Sequence, residues 1–488
     1  MRTGRRKLDV AICLALFLAV SLCVWSVTGI GGHVEPMIDV RADDVWFEAD
    51  VDRVFADMTD RGANHYKTTV HPLFPLLLYP VVHTIQTLFH LDAIRAVRVV
   101  IAGAAGLWLA AFYFLLRLLR CRQLDAVVFA LVAAATTAGL FWTAIPETYE
   151  FGSLTILGVL IVAAIAARRG SVPVAFDVAA GAASMSILIT DFMVNLASLI
   201  SRYRLKQAIQ IACNALVVVV LLWGLQKYYF PTAKFFIGEH DKGAPPVPRA
   251  TALVVILLHS FVAPGFWTSP NELPGVWPKL SYQHAALGAL DFLKVTALIS
   301  WVCLLGFATW ALARVPQYPR FRIMLALSIL GQITLHLLYG NETFLYAMDW
   351  MPLFVTAAAL ATLTRWRWVV LTVAGVFLIT AGIHNGVELR AALDTVVTNA
   401  QAAPPCQRPP LATTECSDSG PRPGRGSPGD PRRTWRRLTA SGRSARLPRK
   451  TRFPTGAPSP CAGGGRRCSR CAHSRGMQFR RCVARRRA

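Results

Sequence analysis

Residues 71–90 read HPLFPLLLYPVVHTIQTLFH, and whether this stretch crosses a membrane decides the side on which everything after it lies. The run 72–90 has the apolar content of a span, yet it carries Pro72, Pro75 and Pro80 together with His83, Gln86 and His90. Before it, MRTGRRK leads into an apolar run from Leu8 to Ile30, which reads as an uncleaved signal anchor. After it, runs long enough or nearly long enough to span fall at 93–117, 123–143, 151–167, 207–225, 285–313, 322–339 and 367–385, with shorter ones at 173–188, 189–201 and 351–364. If 72–90 lies along the membrane, one face collects 17 basic residues, from Arg2 and Lys7 through Arg120, Arg168, Arg202 and Arg320 to Arg367, with no acid in those loops. If it crosses, 13 of the 17 move to the opposite side from the amino terminus, against the preference of basic loops for the cytoplasm. The pattern predicts a juxtamembrane helix at 72–90 and about eleven spans, an all-α polytopic transmembrane helical bundle.

Composition agrees. Of 488 residues 54% are hydrophobic and only 16% charged, where soluble domains carry about 25% charged residues, and the mean hydropathy is +0.44. A soluble enzyme, a disordered polymer and a small disulfide scaffold are excluded. The net charge of +24 does not point to nucleic acid, because residues 401–488 hold 21 of the 51 Lys+Arg and 3 of the 27 Asp+Glu, leaving the rest nearly balanced. That tail has 20 Arg against one Lys, Lys450, and no apolar period that could build a core. Its Arg bias is what GC-rich DNA read in a displaced frame would give, and the competing reading is a polybasic tail on anionic lipid. Six of eleven cysteines sit there, in spacings too irregular for a zinc site, and the other five lie in or beside apolar runs, so no disulfide framework is implied.

The expected organisation is a signal anchor and first span at 1–30, a non-cytoplasmic loop with juxtamembrane helices at 31–92, a transmembrane domain at 93–400 with an outer loop at 226–284, and a disordered tail at 401–488. Four polar pieces would then converge on one face: the first loop, PETYE (146–150), the loop 226–284 and NETFLYAMDW (341–350). The apolar runs contain few ionisable residues, chiefly Asp177, Asp191, Asp291 and Lys294. A transporter would more often place such groups near the bilayer midplane.

In the first loop Asp43 or Asp44 is a natural N-cap for a helix over roughly 45–59, with Phe47, Val51, Val54, Phe55 and Met58 at helical spacing. Asp50, Arg53 and Asp57 fall on the other face, which predicts carboxylates exposed above an interfacial helix, where a base or a metal ligand would be sought. HYKTTVHP (65–72) adds His65, His71 and Lys67, donors suited to a phosphate or a sugar hydroxyl. The two histidines share no helical face, so a metal pair is weakly signalled, and a divalent metal is left open. Glu147 follows Pro146 and is placed to point into a shared cavity, while Glu150 reads as a dipole partner at a helix start. KYYFPTAKFF presents aromatic surface beside Lys227 and Lys234, which would suit a phosphate headgroup with an isoprenoid chain or simply an interface belt. No GxGxxG after a strand, Walker A, GxSxG or HExxH occurs.

The signal anchor, the acidic first outer loop, HPL at 71–73 and the succession of spans together resemble the GT-C superfamily of integral-membrane glycosyltransferases over about 8–385. The likeness is to the protein O-mannosyltransferase and aminoarabinose-transferase branch. The resemblance implies transfer of a sugar from a polyprenyl-phosphate carrier to an acceptor hydroxyl at the non-cytoplasmic face of a bacterial plasma membrane, with inversion. It implies that an acid of the first loop is the base. Asp50 best matches that position, with Asp52 and Asp44 as rivals, and Glu147 resembles the second acidic position. HPL looks like the family's HPP element. LITD (188–191) looks like a break between short paired helices, with Asp191 where many members have Lys. NETFLYAMDWMP, with Glu342 and Tyr346, looks like the segment facing the donor but lacks its Arg-Tyr pair. Arg53, Lys67, Lys227, Lys234 or Arg249 would meet the departing phosphate. A flippase of lipid-linked sugar or a multi-pass transporter is the alternative.

Overall fold

The computed structural model describes residues 2–29, 37–38, 44–236, 250–269, 277–286 and 288–402, all within one unit, Met1–Cys416. Asp43, Arg249 and nearly all of the tail lie outside the described residues. The chain is a bundle of α-helices: α1 (Arg2–Gly29), α2 (Val51–Thr59), α3 (Phe74–Phe89), α4 (Ala93–Leu118), α5 (Gln123–Ala135), α6 (Thr137–Trp142), α7 (Thr148–Arg169), α8 (Val174–Ile187), α9 (Phe192–Arg202), α10 (Leu205–Tyr229), α11 (Ala250–Val254), α12 (Phe292–Arg314), α13 (Pro319–Leu338), α14 (Ala347–Leu360) and α15 (Arg367–Ala402). Two two-residue strands, β1 (Trp267–Thr268) and β2 (Leu280–Ser281), pair antiparallel.

Eight helical segments are long and apolar enough to cross a membrane among the described residues. Three further expected spans, 123–143, 173–188 and 189–201, are shorter or broken helices. The break after α5 is permitted by Gly139, where a Cβ would collide with the backbone oxygen of Ala133. Thr136 caps α6, its Oγ1 accepting from Gly139 N at 3.0 Å. The buried Asn385 of α15 donates to the freed Ala135 carbonyl and to Phe261 O, both at 2.9 Å. Irregular backbone at membrane depth is tolerated where protein groups satisfy it in this way.

The 16 residues of α3 give a helix about 24 Å long, short of the ~30 Å hydrocarbon core. It packs on α2 and α4. The second break, at 188–191, docks on the HPL element: Leu73 N donates to Ser186 O (2.8 Å), Ile189 N to Val70 O (3.3 Å), and His71 Nδ1 to Ile187 O (2.9 Å). The arginine-rich end of the bundle has no acid in its loops but does have three in helix ends. Asp9 pairs with Arg117 (2.8 Å), Asp125 with Arg367 (2.6 Å) and Asp177 with Arg202.

At the opposite end the distant segments converge through an aromatic cluster. Phe47 of the first loop lies 4.6 Å from Tyr282 beside β2 and 5.2 Å from Phe344, and Phe141 of α6 packs against all three. Leu280 N donates to Val45 O at 2.8 Å, adding the first loop to the hairpin. The loop's other end is tied to 226–236: Thr232 Oγ1 donates to Ala63 O (2.5 Å), and Lys234 N to Thr68 Oγ1 (2.7 Å).

Candidate active site

The expected helix over 45–59 begins only at Val51. Asp44, Phe47 and Glu48 adopt positive φ (60°, 51° and 60°), so 44–50 is a turn, and neither Asp44 nor its neighbours cap the helix. The pull comes from the aromatic cluster and the hairpin, long-range contacts that outweigh local helical spacing. Asp50 is thereby the N-cap residue of α2, but its carboxylate makes no capping bond. It points to Arg53 Nε at 3.1 Å and Lys67 Nζ at 3.5 Å.

The polar face of α2 is not a solvated face. Arg53 is 7% exposed and Asp57 2%. Arg53 Nη1 donates to Asp57 Oδ2 at 2.8 Å, and the other oxygen of Asp57 lies 2.5 Å from His65 Nδ1. His65, Asp57, Arg53, Asp50 and Lys67 thus form one connected chain of charge-assisted contacts, and the exposed row of carboxylates expected from the sequence is corrected to a buried network.

Glu147 caps α7. Its Oε1 accepts from Thr148 N (2.7 Å) and Thr148 Oγ1 (2.8 Å), while its Oε2 is buried with no partner among the described residues. The two acids are shifted in opposite directions. Burial acts to raise the Asp50 carboxyl, but the charges of Arg53 and Lys67 outweigh it and hold the group below the usual carboxylate range. For Glu147 burial prevails, Arg53 opposes it, and the negative Asp50 adds to it, so its carboxyl is raised. His71 is pushed down to about 3 by burial and by the Arg53 charge. Because Ile187 O can only accept, His71 Nδ1 carries the proton.

Of the residues picked from sequence, the structure brings together Asp50, Arg53, His65, Lys67, His71 and Glu147. Tyr346 lies one step away, its ring 5.1 Å from Tyr149, which in turn stands 6.2 Å from His71. Glu342 belongs elsewhere: it accepts from Ser281 Oγ (2.5 Å) and Gln283 N (3.3 Å), joining the hairpin to the late segment, and burial raises it to about 7. Lys227 is spent on backbone, donating to Pro231 O (2.6 Å) and Ala233 O (2.8 Å), and Lys234 is exposed.

Three acids not chosen as site residues from the sequence are buried here. Glu150, expected to be a dipole partner at a helix start, has both oxygens buried without a partner among the described residues, as do Asp191 and Asp349. A Cβ at Gly152 of α7 would lie 2.7 Å from Asp191 Oδ2 and 3.9 Å from Asp349 Oδ1, so that glycine lets both approach the helix. Asp191 is legible as an ionisable residue in an apolar run, but nothing local marks its meeting with Asp349. Asp50 already faces two cationic side chains, and among the described residues no group of three or more His, Cys, Asp or Glu is arranged to hold a metal.

No protein-family model matches the chain, and no curated protein sequence does. Among solved structures it is similar to ArnT from Cupriavidus metallidurans in the apo state, with 14% identity, 79% of this chain and 77% of that chain covered, and a TM-score of 0.48.

Proposed function

We propose that the chain is a membrane glycosyltransferase that moves a sugar from a polyprenyl-phosphate carrier to an acceptor hydroxyl at the non-cytoplasmic face of a bacterial plasma membrane. The observation that carries this reading is the pairing of an ionised Asp50, flanked by Arg53 and Lys67, with a buried Glu147 whose Oε2 has no partner among the described residues. The acceptor oxygen forms the new bond to the anomeric carbon, the bond from that carbon to the phosphate oxygen breaks, and the hydroxyl proton passes to a carboxylate. Polyprenyl phosphate departs with the bonding electrons. Lys67, half-buried and facing Asp50, is the cation placed to meet it, while Arg53 is engaged on both sides by Asp50 and Asp57.

Asp50 is the base in this reading, ionised at any physiological pH. The raised Glu147 supports a second assignment, in which Glu147 takes the proton and Asp50 fixes Arg53 and Lys67, because a base is most effective with a pKa near the working pH. The non-enzymatic alternative, a flippase or transporter, finds less support. Gly152, which Asp191 and Asp349 approach, is the fifth residue of a helix of 22, about 33 Å long, so this acid pair lies well outside the midplane. Proteoliposomes supplied with radiolabelled polyprenyl-phosphate sugars and acceptor separate the two. Label covalently attached to acceptor supports the transferase, and label carried intact across the bilayer without new covalent product overturns it.

A further inference from the structure

At the other end of α7 a cavity of about 210 Å³ opens between three helix ends. The C-terminal turns of α7 and α9 and the first turns of α13 line it, one helix length away from Glu147. The 22 residues of α7 are about 33 Å long, so the cavity lies at the second membrane interface. Its inner wall is apolar, made by Ala163, Ala166, Ala167, Phe321 and Met324. Its mouth is polar, with Ser171, Ser201, Arg202 and Arg320, and no acid lines it. Gly170 leaves that mouth open, since a Cβ there would meet nothing within 4 Å.

The charges at the mouth are unequal in their partners. Arg202 is matched by Asp177. Arg320 and Arg168 are exposed and have no acidic partner among the described residues. The guanidinium groups of Arg120 and Arg168 both act on the hydroxyl of Tyr318, which also lines the cavity. Arg320 therefore stands at the mouth, with Arg120 and Arg168 beside the Tyr318 hydroxyl, and no acid among the described residues pairs with any of the three at this opening of an apolar pocket. Water alone would gain little there, because its walls offer few hydrogen-bond partners. A molecule with an anionic head and a hydrocarbon stem satisfies both parts, the head among the arginines and serines and the stem against the alanines, Phe321 and Met324.

We propose that this cavity binds the phosphate headgroup and adjoining chain of an anionic phospholipid. The site is separate from the Asp50 network and does not depend on the transferase reading. Purified full-length protein is mixed with phosphatidylglycerol or phosphatidylcholine in detergent and examined by native mass spectrometry. The expected result is selective retention of phosphatidylglycerol, weakened about fivefold by Arg320→Gln and about fivefold again by adding Arg168→Gln, since each arginine near an anionic lipid contributes a factor of that order. Arg320→Lys retains most of the binding. Ala167→Leu, which fills the pocket and leaves every charge in place, removes it, and Arg365→Gln, at the same end but outside the cavity, does not. Arg320 is exposed, so its variants lose no buried contact and fold. Equal retention of the two lipids, equal effects of Arg320→Gln and Arg365→Gln, or full displacement of the lipid by inorganic phosphate would each overturn the proposal, the last by showing a site for a free anion.

Discussion

Replacing Asp57 by Asn is the sharpest test of the buried network on α2. Asp57 is 2% exposed and serves two partners, Arg53 at 2.8 Å and His65 at 2.5 Å. Asn keeps the shape but removes the charge and offers one carbonyl where two carboxylate oxygens accepted. Breaking a buried ion pair by removing one partner costs about 3–5 kcal/mol. Arg53 keeps Asp50 at 3.1 Å, so the lower figure, about 3 kcal/mol, is expected here. Arg53 would also lose the anchor that fixes its position beside Asp50, and a displacement of about 1 Å at a reacting group commonly costs about a hundredfold in rate. The assay is thermal melting of the detergent-solubilised protein together with sugar transfer in proteoliposomes, with the exposed Asp60→Asn as the reference. Destabilisation with a hundredfold loss of transfer is expected. If Asp57→Asn melts and transfers like Asp60→Asn, Asp57 faces solvent and the network is wrong.

The remaining predictions concern the second acid, pH, topology and the tail. Glu147→Gln should give a loss of turnover smaller than that of Asp50→Asn if Glu147 positions the acceptor, and an equal or larger loss if it takes the proton. Glu342 is raised to about 7, so the folded state binds its proton more tightly than the unfolded chain does. Its contribution to stability is present below about pH 4.5 and is lost as pH rises through about 7, and Glu342→Gln should flatten that part of a melting profile against pH. Cysteine at Thr84 should be labelled by an impermeant reagent on intact cells and cysteine at Arg120 should not, which is the outcome expected of a helix at 72–90 that lies along the membrane. Truncation after about Ala402 should leave membrane insertion and transfer intact, measured by fractionation and the proteoliposome assay, since every residue of the candidate site precedes it.

What the sequence disclosed was set by periodicity and charge. Long apolar runs announce spans through composition alone, and the apolar run 72–90 forms one continuous helix of 16 residues that passes through Pro80. HPL and LITD were each visible, but their docking through His71 and Ile187 was not, because that pairing joins residues 116 positions apart. The start of α2 was misplaced because Phe47 is held by Tyr282 and Phe344 rather than by helical neighbours. Asp57 was misread for a related reason: amphipathic spacing identifies a polar face but does not say whether water or a buried arginine lies opposite it. The break at Thr136 was not legible because its local mark, Gly139, stands inside an apolar run and the Ala135 carbonyl is satisfied by Asn385, far along the chain. Glu150 and Asp349 sit in ordinary helical positions, and only the packing of α7 on α14 shows them buried without partners.

The claim on which the account rests is that a carboxylate of the first loop takes part in sugar transfer. The direct measurement is turnover of a radiolabelled polyprenyl-phosphate sugar by the wild-type chain and by Asp50→Asn in matched proteoliposomes, with equal insertion verified. The account predicts transfer by the wild type and its loss, with the fold intact, in Asp50→Asn. Near-normal transfer by Asp50→Asn, or no transfer by the wild type from any such donor, would contradict it.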